Sequence, residues 1–205
     1  MADAPKSWRC TDDNAAEQLK EMFVDIVQKR RIAAGQKPAM RPVFLKVHGI
    51  AHGTFEIKRN LPKNLAVGVF ASRKALPVWV RFSSDTTPTT PDLRTTIGIG
   101  IKLFGVAGPK LIDNGDTQDF ILQNHDVFFV DTAKDMCAFT KSGVVDGSYD
   151  PYLAKHPKTK AILDAMKKVE VSVLTTTFWS VLPYGLGRRA VKYKLVPEQV
   201  ADDVA

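Results

Sequence analysis

The segment from residue 118 to residue 131, QDFILQNHDVFFVD, places Asn124 and His125 between two runs of apolar and aromatic residues. Polar groups in such surroundings need hydrogen-bond partners or a ligand. Because an asparagine amide both donates and accepts, Asn124 could bind a small molecule held against a flat apolar cofactor. The alternative is structural: a strand, a tight polar turn at Asn124-His125-Asp126 and the start of a helix, with no ligand.

One long helix and a series of strands would position this segment. Between Thr11 and Gly35, a capping residue, acidic residues in the first turn and one apolar stripe predict a helix. From residue 43 onward, strand-like runs broken by turns replace that pattern. The predicted strands are Val43–His48, Gly53–Lys58, Val67–Ala71, Val78–Ser83, Ile97–Phe104, Asp119–Gln123 and Arg189–Val196.

The succession of strands without long helices between them predicts an antiparallel sheet or barrel. Two further helices are predicted at Asp131–Lys141, after a short strand at Phe128-Phe129, and at Pro157–Glu170. The β-branched segment Val171–Val181 fits either a strand or a helix. We therefore expect an α+β protein, with residues 1–40 as an N-terminal helical arm and residues 41–205 as the main domain.

Composition limits the class of protein. The 205 residues include 29 Lys and Arg against 22 Asp and Glu, a net charge of +7 that is spread diffusely along the chain. No dense basic run interleaved with aromatics occurs, so we expect no nucleic-acid partner. The two cysteines, Cys10 and Cys137, lack metal-ligand spacing and predict no disulfide framework. No apolar run is long enough to span a bilayer, and we expect a soluble cytoplasmic protein.

Five segments stand in an order that resembles the haem catalase superfamily, above all its short, divergent members. They are RPVFLKVHGIAHGTFEI at residues 41–57, PVWVRFSSD at 77–85, GIGIKLFG at 98–105, LQNHDVFFVDTAKDM at 122–136 and FWSVLPYG at 178–185. The resemblance covers about residues 41 to 195. It implies a catalase-like antiparallel β-barrel that carries a buried haem b, with an N-terminal helix and outer helices packed on it.

The resemblance implies roles for four polar residues. Asn124 corresponds to the asparagine that hydrogen-bonds peroxide above the iron, and Ser83 to the serine that orients the distal histidine. Arg41 and Arg81 correspond to arginines that pair with haem propionates, a task that suits a rigid cationic fork. For Arg81 a structural carboxylate is the alternative partner, because a charge among apolar neighbours needs an anion.

Aromatic residues and a displaced histidine complete the implied pocket. Phe128 and Phe129 correspond to the aromatic wall beside the haem, or are core residues without it. Phe44 falls where catalases carry the distal histidine, and phenylalanine cannot move a proton. His48 is the nearest substitute, but it lies ~13 Å farther along an extended strand and needs a bulge or shifted register. The alternative is that His48 caps a turn with Gly49.

Other parts of a catalase are missing. The family's tyrosinate iron ligand lies beyond the region of resemblance, and none of the four tyrosines is a recognisable replacement. The chain is thus expected to be a fragment, to bind haem differently or to bind none. Cys137 stands where many catalases have an aromatic, which predicts a looser pocket around a free cysteine that behaves as a small hydrophobe. His52 and His125 are further candidate bases, each with a structural alternative.

Three functions are compatible with these residues. The first is a catalase-like haem oxidoreductase that acts on hydrogen peroxide or organic hydroperoxides, assisted by Asn124 and His48. The second is a haem enzyme that rearranges fatty-acid hydroperoxides, which the apolar Phe44 would suit. The third is a truncated, non-enzymatic barrel without haem, whose exposed sheet edge favours homo-oligomers.

Overall fold

The first helical region lies where the sequence predicts it. In the computed structural model, which describes residues 8–72, 74–85, 91–110 and 115–198, helix α1 (Ala15–Lys20) continues as a π-helical segment (Glu21–Gln28) and then as α2 (Lys29–Ala33). The apolar stripe of this region buries Ala15 and Met22 together with Cys137. An amphipathic face packed on a core therefore stabilises it, as in most helices of this length.

Three helices follow later in the described part of the chain, each shorter than the whole first helical region. They are α3 (Ala133–Val144), α4 (Asp150–Lys155) and α5 (Pro157–Met166). The hydroxyl of Thr132 accepts a hydrogen bond from the backbone N–H of Asp135 at 3.1 Å, which caps the start of α3. The two predicted helices in this region are confirmed, although α5 ends before Glu170. The predicted strand at Phe128-Phe129 is wrong, because these residues form an irregular connection.

Within the described residues, eight strands form one large antiparallel sheet and one hairpin. The large sheet contains β1 (Lys46–Phe55), β2 (Leu76–Ser84), β3 (Ile97–Phe104), β4 (Thr117–Gln123), β5 (Phe178–Ser180) and β8 (Lys194–Leu195), in the order β1-β2-β3-β4-β5-β8. The hairpin consists of β6 (Tyr184–Leu186) and β7 (Arg189–Val191). One face of the large sheet carries the main apolar core, in which Leu76, Ile99, Leu103 and Phe178 are buried.

The predicted β-barrel is wrong, because the large sheet is open. Its order leaves β1 and β8 as edges, and no described residues pair these two strands. Closure would need a full ring of paired strands, but β5 and β8 have only three and two residues. In addition, the predicted strand Val67–Ala71 is a 3₁₀ turn, in which Gly68 has a φ of +56°. Glycine adopts this left-handed conformation without the clash that a Cβ causes.

The chain divides into two compact units. The first combines residues 1–43 with residues 128–165, and the second combines residues 44–127 with residues 166–205. The first is built from helices and the second from the sheet. The expected division into an arm of residues 1–40 and a domain of residues 41–205 stays a prediction. Among the helices of the described residues, none has the length and apolar character needed to cross a membrane.

A disulfide bond joins Cys10 to Cys137 within the first unit. This corrects two predictions, that the cysteines would not pair and that Cys137 would be a free cysteine. The two residues are 127 positions apart in sequence, but their Cα atoms are 5.8 Å apart because the segment before α1 lies against α3. A pairing that depends on helix packing leaves no signal in sequence spacing.

Candidate functional site

A β-bulge places His48 outside the regular ladder between β1 and β2. Val47 pairs with Ser83 and Gly49 pairs with Phe82, so His48 is the extra residue between them. This is the bulge that His48 needs if it is to replace the distal histidine, whose position Phe44 occupies in the resemblance. Bulges bend a strand, re-aim a side chain and are common beside active sites. The turn with Gly49, the structural alternative for His48, is not what the chain forms, because β1 runs on without interruption.

The imidazole of His48 has an unsatisfied nitrogen. Its Nε2 atom is buried and has no hydrogen-bond partner among the described residues. A buried polar atom without a partner costs free energy, and in native proteins such atoms often mark a functional role or a bound molecule. His48 therefore has the property that a proton-transferring residue or a ligand-binding residue needs.

Phe44 precedes β1 and has a strained backbone. Its φ is +53°, a conformation that bulky residues rarely adopt. Two hydrogen bonds hold it: its N–H donates to Asp85 Oδ1 at 3.1 Å, and its carbonyl oxygen accepts from Arg81 Nη2 at 2.8 Å. Because Phe44 lies outside the strand, counting along an extended β1 does not give the position of its side chain relative to His48. Strain that neighbours maintain in this way is typical of functional sites.

The Phe44 ring lies on the backbone of β3. A Cβ atom added to Gly98 would be 2.5 Å from Cε1 of the Phe44 ring. Glycine at this position therefore allows the ring to approach the backbone of β3 this closely. Gly98 pairs with Ser83 of β2, so the ring lies next to the strand that carries Arg81.

Arg81 connects two of these residues. Its Nη1 atom donates to Ser83 Oγ at 2.6 Å, and its Nη2 atom donates to the Phe44 carbonyl. The Ser83 hydroxyl accepts the Arg81 hydrogen bond, and its predicted role, to orient a distal histidine, stays a prediction. The pairing of Arg81 with a propionate stays a prediction.

Asn124 is completely buried at the end of β4. Its Oδ1 atom accepts from the Ile97 N–H at 3.0 Å, and its Nδ2 atom donates to Glu170 Oε1 at 3.0 Å. Its backbone N–H donates to the Ile97 carbonyl, also at 3.0 Å. Asn124 therefore fastens the start of β3 to the end of β4 and to Glu170. This matches the structural alternative of a polar turn, and it leaves one amide hydrogen unassigned, because an amide nitrogen carries two.

Glu170 is a central residue that the sequence did not reveal. Its side chain is 14% exposed and bonds Asn124, Thr176 at 3.2 Å and Lys168 at 3.0 Å. Its N–H donates to the Leu93 carbonyl at 2.9 Å. The sequence placed Glu170 at the end of a helix, where a lone acidic residue is ordinary, so no local signal distinguished it.

Lys46, His48 and Asp92 form a charged group at the same end of β1. Lys46 Nζ makes an ion pair with Asp92 Oδ1. The hydrogen bond from Lys46 lowers the pKa of Asp92 below its ordinary value of 3.8, and the positive charges of Lys46 and His48 lower it further, whereas burial opposes them. His48 is thus within electrostatic reach of the Asp92 carboxylate.

Three of the predicted residues lie in the first unit. Arg41 is exposed, and its carbonyl accepts from Arg31 Nη1 at 2.9 Å. Phe128 and Phe129 are half-buried with ring centroids 4.6 Å apart, and Phe129 contacts Phe139 at 4.8 Å. These contacts agree with the core alternative for the two phenylalanines. In the second unit, the structure brings together Phe44, His48, Arg81, Ser83 and Asn124, along one end of β1 to β4.

The other histidines show no comparable surroundings. His52 is exposed on β1 and lies 6.1 Å from the Trp79 ring, measured between centroids. His125 follows Asn124, and its Nε2 atom is 3.8 Å from Asp126 Oδ1. His52 is a surface residue and His125 is 21% exposed, and neither has a buried nitrogen identified as unpartnered, so His48 remains the candidate base.

The tyrosines test whether the chain fits a haem bound as in catalases. Tyr184 and Tyr193 belong to an aromatic cluster on the core face of the sheet, and the Tyr184 hydroxyl accepts from the Ile121 N–H at 2.9 Å. Burial, followed by the effect of Tyr184, raises the pKa of Tyr193 above 10.0, and burial likewise raises the pKa of Tyr152. Burial thus favours the neutral phenols of Tyr193 and Tyr152 in this structure. The unpartnered Nε2 of His48 is the polar atom that would suit a haem pocket.

Comparison with known proteins adds no family. No protein-family model matches this chain, and no curated protein matches its sequence significantly. Among the described residues, no group of three or more His, Cys, Asp or Glu side chains is placed to hold a metal ion. The resemblance to catalases therefore depends on the five ordered motifs, and what it implies stays a prediction.

Proposed function

We propose that this protein is a catalase-like haem protein that acts on hydrogen peroxide or an organic hydroperoxide. The observation that carries the proposal is the buried, unpartnered Nε2 atom of His48 at a β-bulge in β1. A base is needed at this place, because peroxide must transfer a proton from one oxygen to the other while the O–O bond breaks. Phe44 cannot act as this base, and the bulge in β1 would provide the His48 imidazole in its place.

His48 would accept a proton from one peroxide oxygen and deliver it to the other, which leaves as water. The carboxylate of Asp92, whose pKa the hydrogen bond from Lys46 lowers, lies within electrostatic reach of this imidazole. Haem, when bound, would supply the redox chemistry that cleavage of the O–O bond needs. Arg81 would pair with a propionate, and Phe44 would contact the porphyrin. Asn124 would use its second amide hydrogen toward peroxide while Glu170 holds the first.

The proposal is tested with haemin and two histidine variants. We expect the wild-type protein to take up one haemin with a Soret band and then to consume peroxide. His48→Gln should keep haemin uptake but lose about 10²–10⁴-fold in peroxide consumption, the usual contribution of a general base. The matched control, His52→Gln, changes an exposed histidine of the same strand and should retain activity. A wild-type chain that takes up no stoichiometric haemin contradicts the proposal.

Rearrangement of fatty-acid hydroperoxides is a second candidate, and exposed apolar residues favour it. Ile50, Trp79 and Ile121 are all at least half exposed on the sheet face opposite the core. An apolar surface suits a lipid chain better than it suits peroxide. With haemin bound, consumption of a fatty-acid hydroperoxide without oxygen release from hydrogen peroxide would favour this candidate over the first.

A protein without haem is the third candidate, and the complete hydrogen bonding of Asn124 Oδ1 favours it, because that atom has no further need of a ligand. The open edges of β1 and β8 would then pair with a second copy of the chain. We propose no nucleic-acid partner, because the positive charge is diffuse. Light scattering of the haem-free protein separates these possibilities: a dimer without haemin uptake supports this candidate.

The compartment is a further part of the proposal. The sequence favours the cytoplasm, whereas disulfides persist mainly in oxidising compartments, so the Cys10–Cys137 bond favours the cell exterior or the periplasm. Rapid alkylation of the protein in its own cells decides between them. Two alkylated cysteines would indicate the cytoplasm, and none would indicate an oxidising compartment.

A further inference from the structure

Strand β1 is a long, exposed edge of the large sheet. It has ten residues and pairs with β2 on one side only. Residues 50–54 are all exposed, and the side chain of Ile50 is 62% exposed. Among the described residues, the backbone of residues 50–54 forms no hydrogen bonds other than those to β2. Such an edge, with unpaired N–H and C=O groups, is a template for a further strand.

The hydrogen bonds of the sheet show which residues face this free edge. The N–H of Val181 donates to the carbonyl of Ile121 at 3.1 Å, so the backbone polar groups of Ile121 point away from β3. Ile121 pairs with Gly100, Gly100 with Arg81, and Arg81 with Ile50. Antiparallel pairs alternate between hydrogen-bonded and non-hydrogen-bonded. The groups of Gly100 and Arg81 therefore point toward each other, and those of Ile50 point to the free edge.

Three residues of β1 thus present backbone groups at the edge. Because the direction repeats every second residue, His52 and Thr54 face the same way as Ile50. Residues 47–55, VHGIAHGTF, include no Asp, Glu, Lys or Arg. Charged side chains, above all Lys, and prolines are what usually protect an edge. The edge at the other side of the sheet, β8, has only two residues and includes Lys194. Of the two edges, β1 is therefore the one that can accept a strand.

We propose that β1 pairs with β1 of a second copy of the chain, antiparallel about a two-fold axis at His52. A strand paired with its own copy forms a closed, isologous contact. Ile50 then lies opposite the partner's Thr54, and His52 lies opposite the partner's His52. All the residues that face the edge form hydrogen-bonded pairs, with roughly six bonds in total. An axis at Ala51 would instead place Thr54 opposite the bulge residue His48, which is outside the regular ladder.

The proposed contact joins two sheets into one continuous sheet. It makes the edge pairing of the haem-free candidate specific, and it is independent of haem, because it uses only backbone groups of residues 50–54. A second copy suits this edge, because the uncharged segment brings no like charges together at neutral pH. A few backbone hydrogen bonds compete with the entropic cost of association, so we expect a weak dimer that forms at high protein concentration.

Sedimentation velocity and amide exchange of the full chain, before haemin is added, test the proposal. The mean mass should rise toward that of a dimer with concentration, and a chain that stays monomeric up to about 1 mM overturns the proposal. The amides of Ile50, His52 and Thr54 should exchange more slowly as the concentration rises. The amide of Gly100, which points to β2 within the sheet, is the internal control. Dimerisation without slower exchange at the three edge amides would also overturn the proposal. A failed pairing leaves haemin uptake, which is measured separately, untouched.

Charge variants test the position of the axis. His52→Lys and His52→Glu each place like charges opposite one another and should weaken dimerisation by at least about tenfold. Mixing the two variants places opposite charges face to face and should restore a heterodimer, which also shows that both variants fold. Ile121→Lys adds a charge to the same face of the sheet but away from the edge, and it should dimerise like the wild type. A mixture that stays monomeric, or an equal loss in Ile121→Lys, would contradict pairing at His52.

Discussion

At the scale of single residues, Asn124 has a structural task whether or not it also contacts a ligand. Its amide satisfies the Ile97 N–H and the Glu170 carboxylate in a place without solvent. Asn124→Ala leaves the Ile97 N–H without its side-chain acceptor and removes one of the three partners of Glu170, and we expect it to lower the free energy of unfolding by about 1–3 kcal/mol. Urea unfolding followed by circular dichroism measures this loss.

Asp119, a charged residue of β4, the strand that ends just before Asn124, is the control for that measurement. Asp119→Ala breaks an exposed ion pair with Lys102, whose atoms are 2.8 Å apart, and should cost less than about 1 kcal/mol. Equal unfolding midpoints for the two variants would show that the hydrogen bonds of Asn124 contribute no more than a surface contact.

Asp92 is the residue for which an acid titration is informative. Its pKa lies below 3.8 because Lys46 donates a hydrogen bond to it. Since the folded-state pKa is lowered, the resulting stabilisation is present above pH 3.8 and is lost as the pH falls through that lower value. Lys46→Met should bring the pKa of Asp92 back toward 3.8 in a carboxyl NMR titration, whereas Lys102→Met, which breaks the pair with Asp119, should leave it low.

At the scale of elements, the contact between the Phe44 ring and β3 determines how the chain enters β1. Gly98→Ala places a Cβ atom 2.5 Å from the ring, so the ring must move or the strand must bend. Overpacking of this kind costs about 1–3 kcal/mol. We expect Gly98→Ala to lower the urea midpoint and to change haemin uptake, if haemin is bound at this end of the sheet.

Gly100→Ala is the matched control, two residues farther along the same strand. The atom nearest to the added Cβ is Cδ1 of Ile121 at 3.8 Å, which is an ordinary contact. Alanine is tolerated in a strand at least as well as glycine, so stability should change by less than about 1 kcal/mol. A loss as large as that of Gly98→Ala would mean that the strand, rather than the Phe44 ring, is sensitive.

Local patterns predicted most elements, because apolar periodicity and turn residues act over a few positions. The first helix, α3 and the strands β2 to β4 are confirmed on that basis. The separate strands expected at Val43–His48 and Gly53–Lys58 are one strand, since the bulge at His48 lets β1 continue. The hydrogen bonds of Asn124 to Glu170 and of Arg81 to Phe44 join distant parts of the chain, and no local pattern encodes them.

At the scale of the whole molecule, long-range closure was the part that the sequence predicted poorly. Ordered motifs implied a barrel, but closing a sheet depends on every strand having the length to pair with its neighbour. Here β5 and β8 are too short, and the edges stay open. The prediction that the two cysteines would not pair was wrong for the same reason. Sheet closure and cysteine pairing both depend on tertiary packing, and neither depends on local propensity.

The Cys10–Cys137 bond closes a loop that contains residues 44–127, and hence most of the sheet. A crosslink over such a separation restricts the unfolded chain strongly, and disulfides typically contribute about 2–4 kcal/mol. We expect dithiothreitol to lower the thermal midpoint of the wild type to that of Cys10→Ser/Cys137→Ser. The double variant is its own control, because the chain has no other cysteine and the reductant cannot affect it through a thiol. An unchanged wild-type midpoint after complete reduction, verified by alkylation, would show that helix packing alone stabilises the first unit.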